Sequence, residues 1–200
     1  MVEQKEIANE ASASIDQQAA VLPRPISQID KLKLMIIRIG DEKRECRDEH
    51  LQKLKTQFAG AFVLKERAHR QTLTDTLINC IQVMPHKIMI YTALLSNLAV
   101  DEFDFAAEIV SRTVESLQHT LVMHGNIYRS KNIMRLLGNL VQIGLVNSKA
   151  FCNFLREFIM EYEKMPGAND QTGCLSHSSD LILEVILASL PATSAKLSKE

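Results

Sequence analysis

Residues 84–98 read MPHKIMIYTALLSNL, and this stretch decides the fold class. Its large apolar side chains recur every three or four residues, at Ile88, Tyr91, Leu95 and Leu98. That spacing places them on one face of an α-helix, because an α-helix has about 3.6 residues per turn. Pro85 ends the preceding segment, since proline cannot continue a helix. The pattern therefore predicts a helix over 86–98.

The same spacing extends in both directions from this stretch. It predicts eight amphipathic helices, at about 28–39, 48–59, 65–84, 86–98, 101–121, 127–143, 148–162 and 178–190. No segment shows the strict apolar–polar alternation of a strand. Short turns join the helices, so successive helices are expected to lie antiparallel beside one another.

The size and number of the helix pairs favour a repeat architecture. Each pair spans about 35 to 45 residues, as a two-helix repeat does. Each helix carries one apolar stripe, and none reads as apolar all round like the central helix of a closed bundle. We therefore predict an all-α fold, an α-solenoid of antiparallel, HEAT-like helix pairs. The predicted organisation is a disordered tail (1–27), a helical-repeat domain (28–191), and a tail or truncated continuation (192–200).

Composition excludes several classes of protein. The chain has 200 residues, 46% of them hydrophobic, and only seven Gly and five Pro, so most of it is not of low complexity. Lys plus Arg total 23 and Asp plus Glu 24, a net charge of -1 that does not suit a bulk polyanion binder. The most apolar run, 181–190, contains Glu184 and is too short to span a membrane. We expect a soluble protein without a membrane role.

The four cysteines do not form a recognisable site. Cys46, Cys80, Cys152 and Cys174 are too far apart in sequence for a metal knuckle or a redox motif. Two of them, Cys80 and Cys152, lie inside apolar helical stretches, where a thiol packs as a small hydrophobe. A reduced intracellular protein is the favoured interpretation, and a disulfide framework the less favoured one.

The sequence also lacks a catalytic motif. It has no Gly-rich phosphate loop, no G-x-S-x-G elbow and no H-E-x-x-H pair. His119 and His124 are five residues apart, which places them on different faces of a helix and argues against a shared metal ion. Asp101, Glu102 and Asp104 could act in acid–base chemistry, but helix capping accounts for them better. We predict no enzyme, no catalytic residues, no cofactor and no metal.

A short basic segment leaves one alternative open. Arg129, Lys131 and Arg135 could contact an RNA backbone, since phosphate binding draws on Lys and Arg. A solvated helix surface is the simpler interpretation of such scattered charges.

The opening stretch and the residues after it resemble a known family. The elements concerned are Pro85, Lys87, Ile90, Tyr91, Phe103, Phe105 and Glu108, which we call the signature residues. They resemble the N-terminal domain of the large subunit of the nuclear cap-binding complex. That domain is similar to the middle domain of the translation-initiation scaffold, a helical-repeat fold. The resemblance runs colinearly from about Leu32 to Pro191.

The resemblance implies a non-enzymatic scaffold. In the family, the large subunit has three helical-repeat domains and supports a small subunit whose RNA-recognition domain holds the cap. The implied partners are that small subunit, capped RNA indirectly, and other mRNA-processing proteins. The implied processes are pre-mRNA splicing, RNA export and quality control, including nonsense-mediated decay, in the nucleus with shuttling to the cytoplasm. No cap-binding residue carries over, because contacts to the small subunit come mainly from the second and third domains.

The signature residues are expected to be structural. Tyr91 shares an apolar stripe with Leu94 and Leu95, and Phe103 and Phe105 can staple the entering loop onto a helix pair. A repeat stack exposes an apolar end where a further repeat would pack, so we predict a docking flank at Leu181, Val185 and Leu190. The alternative function is the middle domain of a cytoplasmic translation-initiation scaffold that binds an RNA helicase.

Overall fold

The amphipathic segments form α-helices in the computed structural model, which describes residues 26–41, 47–59, 66–122, 126–163, 177–191 and 193. The helices are α1 (Gln28–Arg38), α2 (Arg47–Ala59), α3 (Arg67–Val83), α4 (Ile88–Asp101), α5 (Phe103–Val122), α6 (Ile127–Gln142), α7 (Ser148–Glu163) and α8 (His177–Leu187). A 3-10 turn, Pro85–Lys87, joins α3 to α4. These residues contain no strand, so the predicted all-α class is confirmed. Apart from 26, 27 and 193, the predicted tails lie outside the described residues.

Side chains at the helix ends explain where three of the helices begin. The Asp30 N–H donates to Ser27 Oγ at 3.1 Å, which caps α1. The Tyr128 N–H donates to Asn126 Oδ1 at 2.9 Å at the start of α6. Asn147 Oδ1 accepts from the N–H groups of Lys149 and Ala150 before α7. Each cap satisfies backbone donors that have no partner inside the helix.

Helices two positions apart in the chain pack side by side. Contacts join α1 to α3, α2 to α4, α3 to α5, α4 to α6, and α6 to α8. Consecutive helices also contact one another, at α1–α2, α4–α5, α5–α6 and α7–α8. This is the pattern of a two-layered stack in which each helix pair touches its neighbours. The predicted helical-repeat fold is confirmed.

The expectation that each helix buries a single apolar stripe is wrong for α6, which buries more than one stripe. Ten of its sixteen residues are buried, including the polar residues Ser130, Asn132 and Asn139. Its position explains this, since α6 contacts α3, α4, α5 and α8. Asn132 Nδ2 donates to the Gln82 carbonyl at 2.8 Å, so this buried amide has a partner in α3.

The boundary between α4 and α5 also differs from the prediction. Asp101 was expected to open the fifth helix, but it is the last residue of α4. Its carboxylate pairs with Lys55 of α2 at 3.0 Å, which favours continuing α4 as far as this residue. None of the described helices has the length and apolarity that crossing a bilayer requires.

Candidate functional site

A buried lysine closes the end of α1. Lys87, in the 3-10 turn before α4, has a side chain that is only 4% exposed. Its Nζ donates to the Ile37 carbonyl at 2.7 Å and pairs with Asp41 at 2.5 Å. The last carbonyls of a helix have no partner within it, and they carry partial negative charge. The ammonium group therefore caps α1 from a residue fifty positions later in the chain.

Two neighbours of Lys87 hold the same helix end. Tyr91 is fully buried, and its hydroxyl donates to the Ile36 carbonyl at 3.3 Å. Ile90 packs on Gly40, where a Cβ atom would overlap its Cδ1. Gly40 has φ +82°, a conformation that L side chains rarely adopt. Three of the signature residues therefore act together to lock α4 onto the end of α1.

Phe105 and Glu108 form a second contact group, between α2, α3 and α5. The ring of Phe105 lies 5.9 Å from the ring of Phe58, and the Arg70 guanidinium lies 5.3 Å from its centroid. Arg70 also donates two hydrogen bonds to Glu108 Oε2, at 2.8 and 3.1 Å. The guanidinium thus bridges an aromatic face and a carboxylate. The sequence indicated Phe105 and Glu108 but not Phe58 or Arg70, because no local spacing links residues this far apart.

We expect the Arg70–Glu108 pair to contribute measurably to stability. A double-mutant cycle with Arg70→Met and Glu108→Gln should give a coupling energy of about 1 kcal/mol, because two charge-assisted hydrogen bonds join these partly buried groups. The Arg112–Asp75 pair, at 3.1 Å with a more exposed carboxylate, is the control and should couple by about 0.5 kcal/mol or less. Urea unfolding of the variants measures both energies. Equal coupling in the two pairs would contradict a special role for the first.

The remaining signature residues, Phe103 and Pro85, lie on the surface. Phe103 is 66% exposed, so the expectation that it staples the entering loop is wrong. Only Phe105 points into the core, because two residues that are two positions apart on a helix point in nearly opposite directions. Pro85 is exposed at the first position of the 3-10 turn. A backbone N–H at this position would have no partner within the turn, so proline loses no hydrogen bond there.

The predicted docking flank on α8 is only partly exposed. Val185 is fully buried in the main core, which corrects its assignment to an exposed surface. It faces inward because α8 packs on α6 as well as on α7. Leu190 is 37% exposed, and the side chain of Leu181 is not among those that the structure describes. The exposed apolar stripe of this segment consists of Leu183, Leu187 and Leu190, which we call the α8 stripe.

Cys80 and Tyr91 are neighbours whose burial sets their ionisation. Burial raises the pKa of the Tyr91 hydroxyl above its ordinary value of 10.0, and burial likewise raises the pKa of the Cys80 thiol above 9.0. Both groups stay protonated at neutral pH. In the unfolded chain both groups would ionise with their ordinary pKa values. Because they lose protons more easily in the unfolded chain, the free energy of unfolding should fall as pH rises above about 9. The thiolate is the nucleophilic form, so this cysteine is poorly suited to catalysis.

A labelling experiment tests the state of Cys80. In a variant with Cys46, Cys152 and Cys174 replaced by serine, we expect a thiol-specific reagent at pH 8 to react ~100-fold more slowly with the folded than with the urea-unfolded chain. A variant that retains only the half-buried Cys152 serves as the control. In the folded chain, its thiol should react faster than the thiol of Cys80. Rapid labelling of folded Cys80 would contradict the burial described here.

The polar residues singled out for chemistry do not converge. The described part of the chain has no group of three or more His, Cys, Asp or Glu residues placed to hold a metal ion. Arg129 lines a polar groove between α3 and α5, whereas Arg135 lines a different hollow beside Pro85 and Pro191. Lys131 pairs with Glu184 of α8. The three basic residues therefore face different neighbours and do not form one phosphate track.

The profile of the MIF4G domain matches residues 31–198, which is most of the chain. The chain belongs to the MIF4G domain family. As a MIF4G domain it is a helical scaffold module, and its signature residues contact mainly its own backbone and core.

Curated relatives of this MIF4G domain carry the name nuclear cap-binding protein subunit 1. The protein from Caenorhabditis briggsae is 23% identical over 173 residues, covering 85% of this chain and 20% of the relative. The protein from Salmo salar is 22% identical over 179 residues, covering 88% of this chain and 21% of the relative. The protein from Xenopus tropicalis is 21% identical over 168 residues. The MIF4G domain described here thus spans about a fifth of the length of these relatives.

Proposed function

We propose that this chain is a non-enzymatic scaffold of a nuclear mRNA cap-binding complex. In this role it supports a small subunit that holds the cap, and it takes part in splicing, export and quality control of mRNA. Capped RNA is a partner only indirectly, through the small subunit, and other mRNA-processing proteins are further partners. The proposed place of action is the nucleus, with shuttling to the cytoplasm.

One observation carries the proposal. The MIF4G match and the similarity to nuclear cap-binding subunits extend over the same helices, including α3 to α6, which contain the signature residues. The geometry is consistent with a scaffold, because the polar side chains described above mainly make structural bonds. The chain's near-neutral charge suits a protein that supports an RNA-binding partner.

Affinity purification tests the proposal. The tagged protein, expressed in its own cells, should recover the small cap-binding subunit from nuclear extract, and both should be retained on immobilised methylguanosine cap. A tagged variant with Tyr91→Ala, which is expected to unfold, controls for non-specific capture. Absence of the small subunit from the intact protein's eluate would overturn the proposal.

The alternative is a cytoplasmic translation-initiation scaffold, since a MIF4G domain is common to both kinds of protein. The names of the relatives favour the cap-binding complex. Recovery of an RNA helicase from cytoplasmic extract, together with stimulation of its ATPase activity by the purified chain, would instead support this alternative.

We also propose that the α8 stripe is where a neighbouring helical repeat packs. Leu183 and Leu187 are 55% and 48% exposed and lie one turn apart on α8, and Leu190, which is 37% exposed, follows the end of that helix. Relatives about five times as long offer further segments that could cover such a face. The double variant Leu183→Gln, Leu187→Gln should keep its melting temperature within about 3 °C, because neither side chain is buried.

The same double variant is expected to lose assembly. Recovery of partner proteins in the purification above should fall, whereas Met160→Gln, at an exposed position of α7, should leave it unchanged. Unchanged recovery with both variants would contradict a docking role for the α8 stripe.

A further inference from the structure

A cleft with an apolar floor lies between α1 and α2. It consists of two adjoining hollows that share Leu34, Met35 and Lys53 in their walls. Ile39 and Leu54 form the floor of one hollow and are almost completely buried. Leu34 is 40% exposed at the junction of the two hollows. Apolar surface is therefore accessible at the first helix pair of the stack.

The rim of this cleft is basic. Lys31, Arg38 and Lys53 line it and are exposed, and none of them pairs with a carboxylate in the described part of the chain. Two aspartates near the ends of α1 are engaged by other lysines, since Asp30 pairs with Lys33 and Asp41 with Lys87. The described lining contains no Asp or Glu, so the walls of the cleft carry positive charge, and the nearest carboxylate on α2, that of Glu49, lies one turn from Lys53 outside the lining.

The spacing of these groups is that of a helix face. Lys31, Leu34 and Arg38 stand at relative positions 0, 3 and 7 of α1, so they lie on one side of it. The two charges are ~10 Å apart along the helix, at 1.5 Å per residue. A second helix that carries two carboxylates seven residues apart, with leucines between them, has matching dimensions.

We propose that this cleft binds an acidic amphipathic helix from a partner protein. The apolar stripe of that helix packs on Leu34 and Met35, and its flanking carboxylates pair with the three rim cations. RNA is a poorer fit, because the described lining offers a base only one aromatic side chain to stack on, that of His50. This inference does not depend on the proposed role in cap binding.

A designed peptide tests the cleft directly. The probe is a fluorescein-labelled 16-residue helix with leucines at helical spacing and glutamates on both flanks, titrated with the full 200-residue chain and followed by anisotropy. We expect Leu34→Glu and Lys53→Glu each to weaken binding about tenfold or more. Raising NaCl from 50 to 500 mM should weaken binding by the intact chain severalfold.

Matched substitutions separate the cleft from general surface effects. Ile37→Glu lies on the same helix at 41% exposure but outside the lining, and should change the dissociation constant by less than about twofold. Lys149→Glu, at an exposed position on α7, is the control for net charge and should behave likewise. Circular dichroism at 222 nm verifies that each variant is folded.

Four results would overturn the proposal. One is no binding of the probe, and another is equal weakening by the cleft and control variants. A third is that a labelled 20-nucleotide single-stranded RNA binds the intact chain more tightly than the peptide probe does and does not bind the Lys53→Glu variant. That result would assign the cleft to RNA. The fourth is displacement of the probe by a synthetic peptide with the sequence of residues 1–25, which would make the occupant a segment of this chain.

Discussion

Replacing Lys87 with methionine is expected to lower the free energy of unfolding by about 2–3 kcal/mol. The substitution preserves the length and apolar packing of the side chain but removes its charge and its hydrogen-bond donor. The Ile37 carbonyl then lacks the 2.7 Å bond that caps the end of α1. Asp41 also loses its partner, although its side chain is 55% exposed and regains water, which keeps the loss below that of a fully buried ion pair.

Urea unfolding monitored by circular dichroism measures this loss. Lys55→Met is the matched control, because Lys55 pairs with Asp101 at 3.0 Å but has a side chain that is 23% exposed. We expect it to lower the free energy of unfolding by about 1 kcal/mol or less, as a pair near the surface does. If both variants lost the same amount, burial of Lys87 would not be what makes it important.

Replacing Gly138 with alanine is expected to destabilise the protein by about 1–3 kcal/mol. In an exposed helix the same change stabilises by about 1 kcal/mol, because alanine is the better helix former. Here α6 lies close to the segment that follows α8, since a Cβ atom on Gly138 would lie 2.7 Å from the Ser189 carbonyl oxygen. That oxygen belongs to the backbone, so relief requires this segment to move. The steric term therefore outweighs the gain in helix propensity.

A second substitution identifies the atom responsible. Ser189→Gly removes the serine side chain, with its bond to the Ile186 carbonyl, but keeps the carbonyl oxygen, so adding Gly138→Ala should destabilise this variant as much as it does the intact chain. Asn153→Ala, at an exposed position of α7, is the propensity control and should be neutral or slightly stabilising. Limited proteolysis should cleave the Gly138→Ala chain faster near α8. A gain in stability on Gly138→Ala would show that the segment after α8 can move freely away from α6.

The helices could be predicted from the sequence because their signal is local. The apolar spacing from α1 to α8 marks each helix, and residues such as Ser27 and Asn147 mark helix starts through hydrogen bonds to N–H groups within three residues. The family could also be recognised, since its signature residues lie within a 24-residue stretch from Pro85 to Glu108.

The roles of the signature residues were less predictable. Lys87 was expected to be structural, but nothing near it in sequence shows that it reaches the carbonyl of Ile37. Phe103 and Phe105 read alike, yet one is 66% exposed and the other 1%. Val185 was predicted to be exposed, but α6 covers it. In each case the deciding neighbour is remote in the chain.

The sequence by itself determined the helical class, the approximate position of each helix and the membership of the family. All three depend on periodicity, caps and motifs that act over a few residues. Only the tertiary structure decided which apolar faces are covered, where Lys87 finds its partners, and that Lys31, Arg38 and Lys53 share one cleft. The physical reason is that burial and electrostatic pairing depend on contacts between helices. Those contacts join residues tens of positions apart, and the order of residues along the chain does not encode them locally.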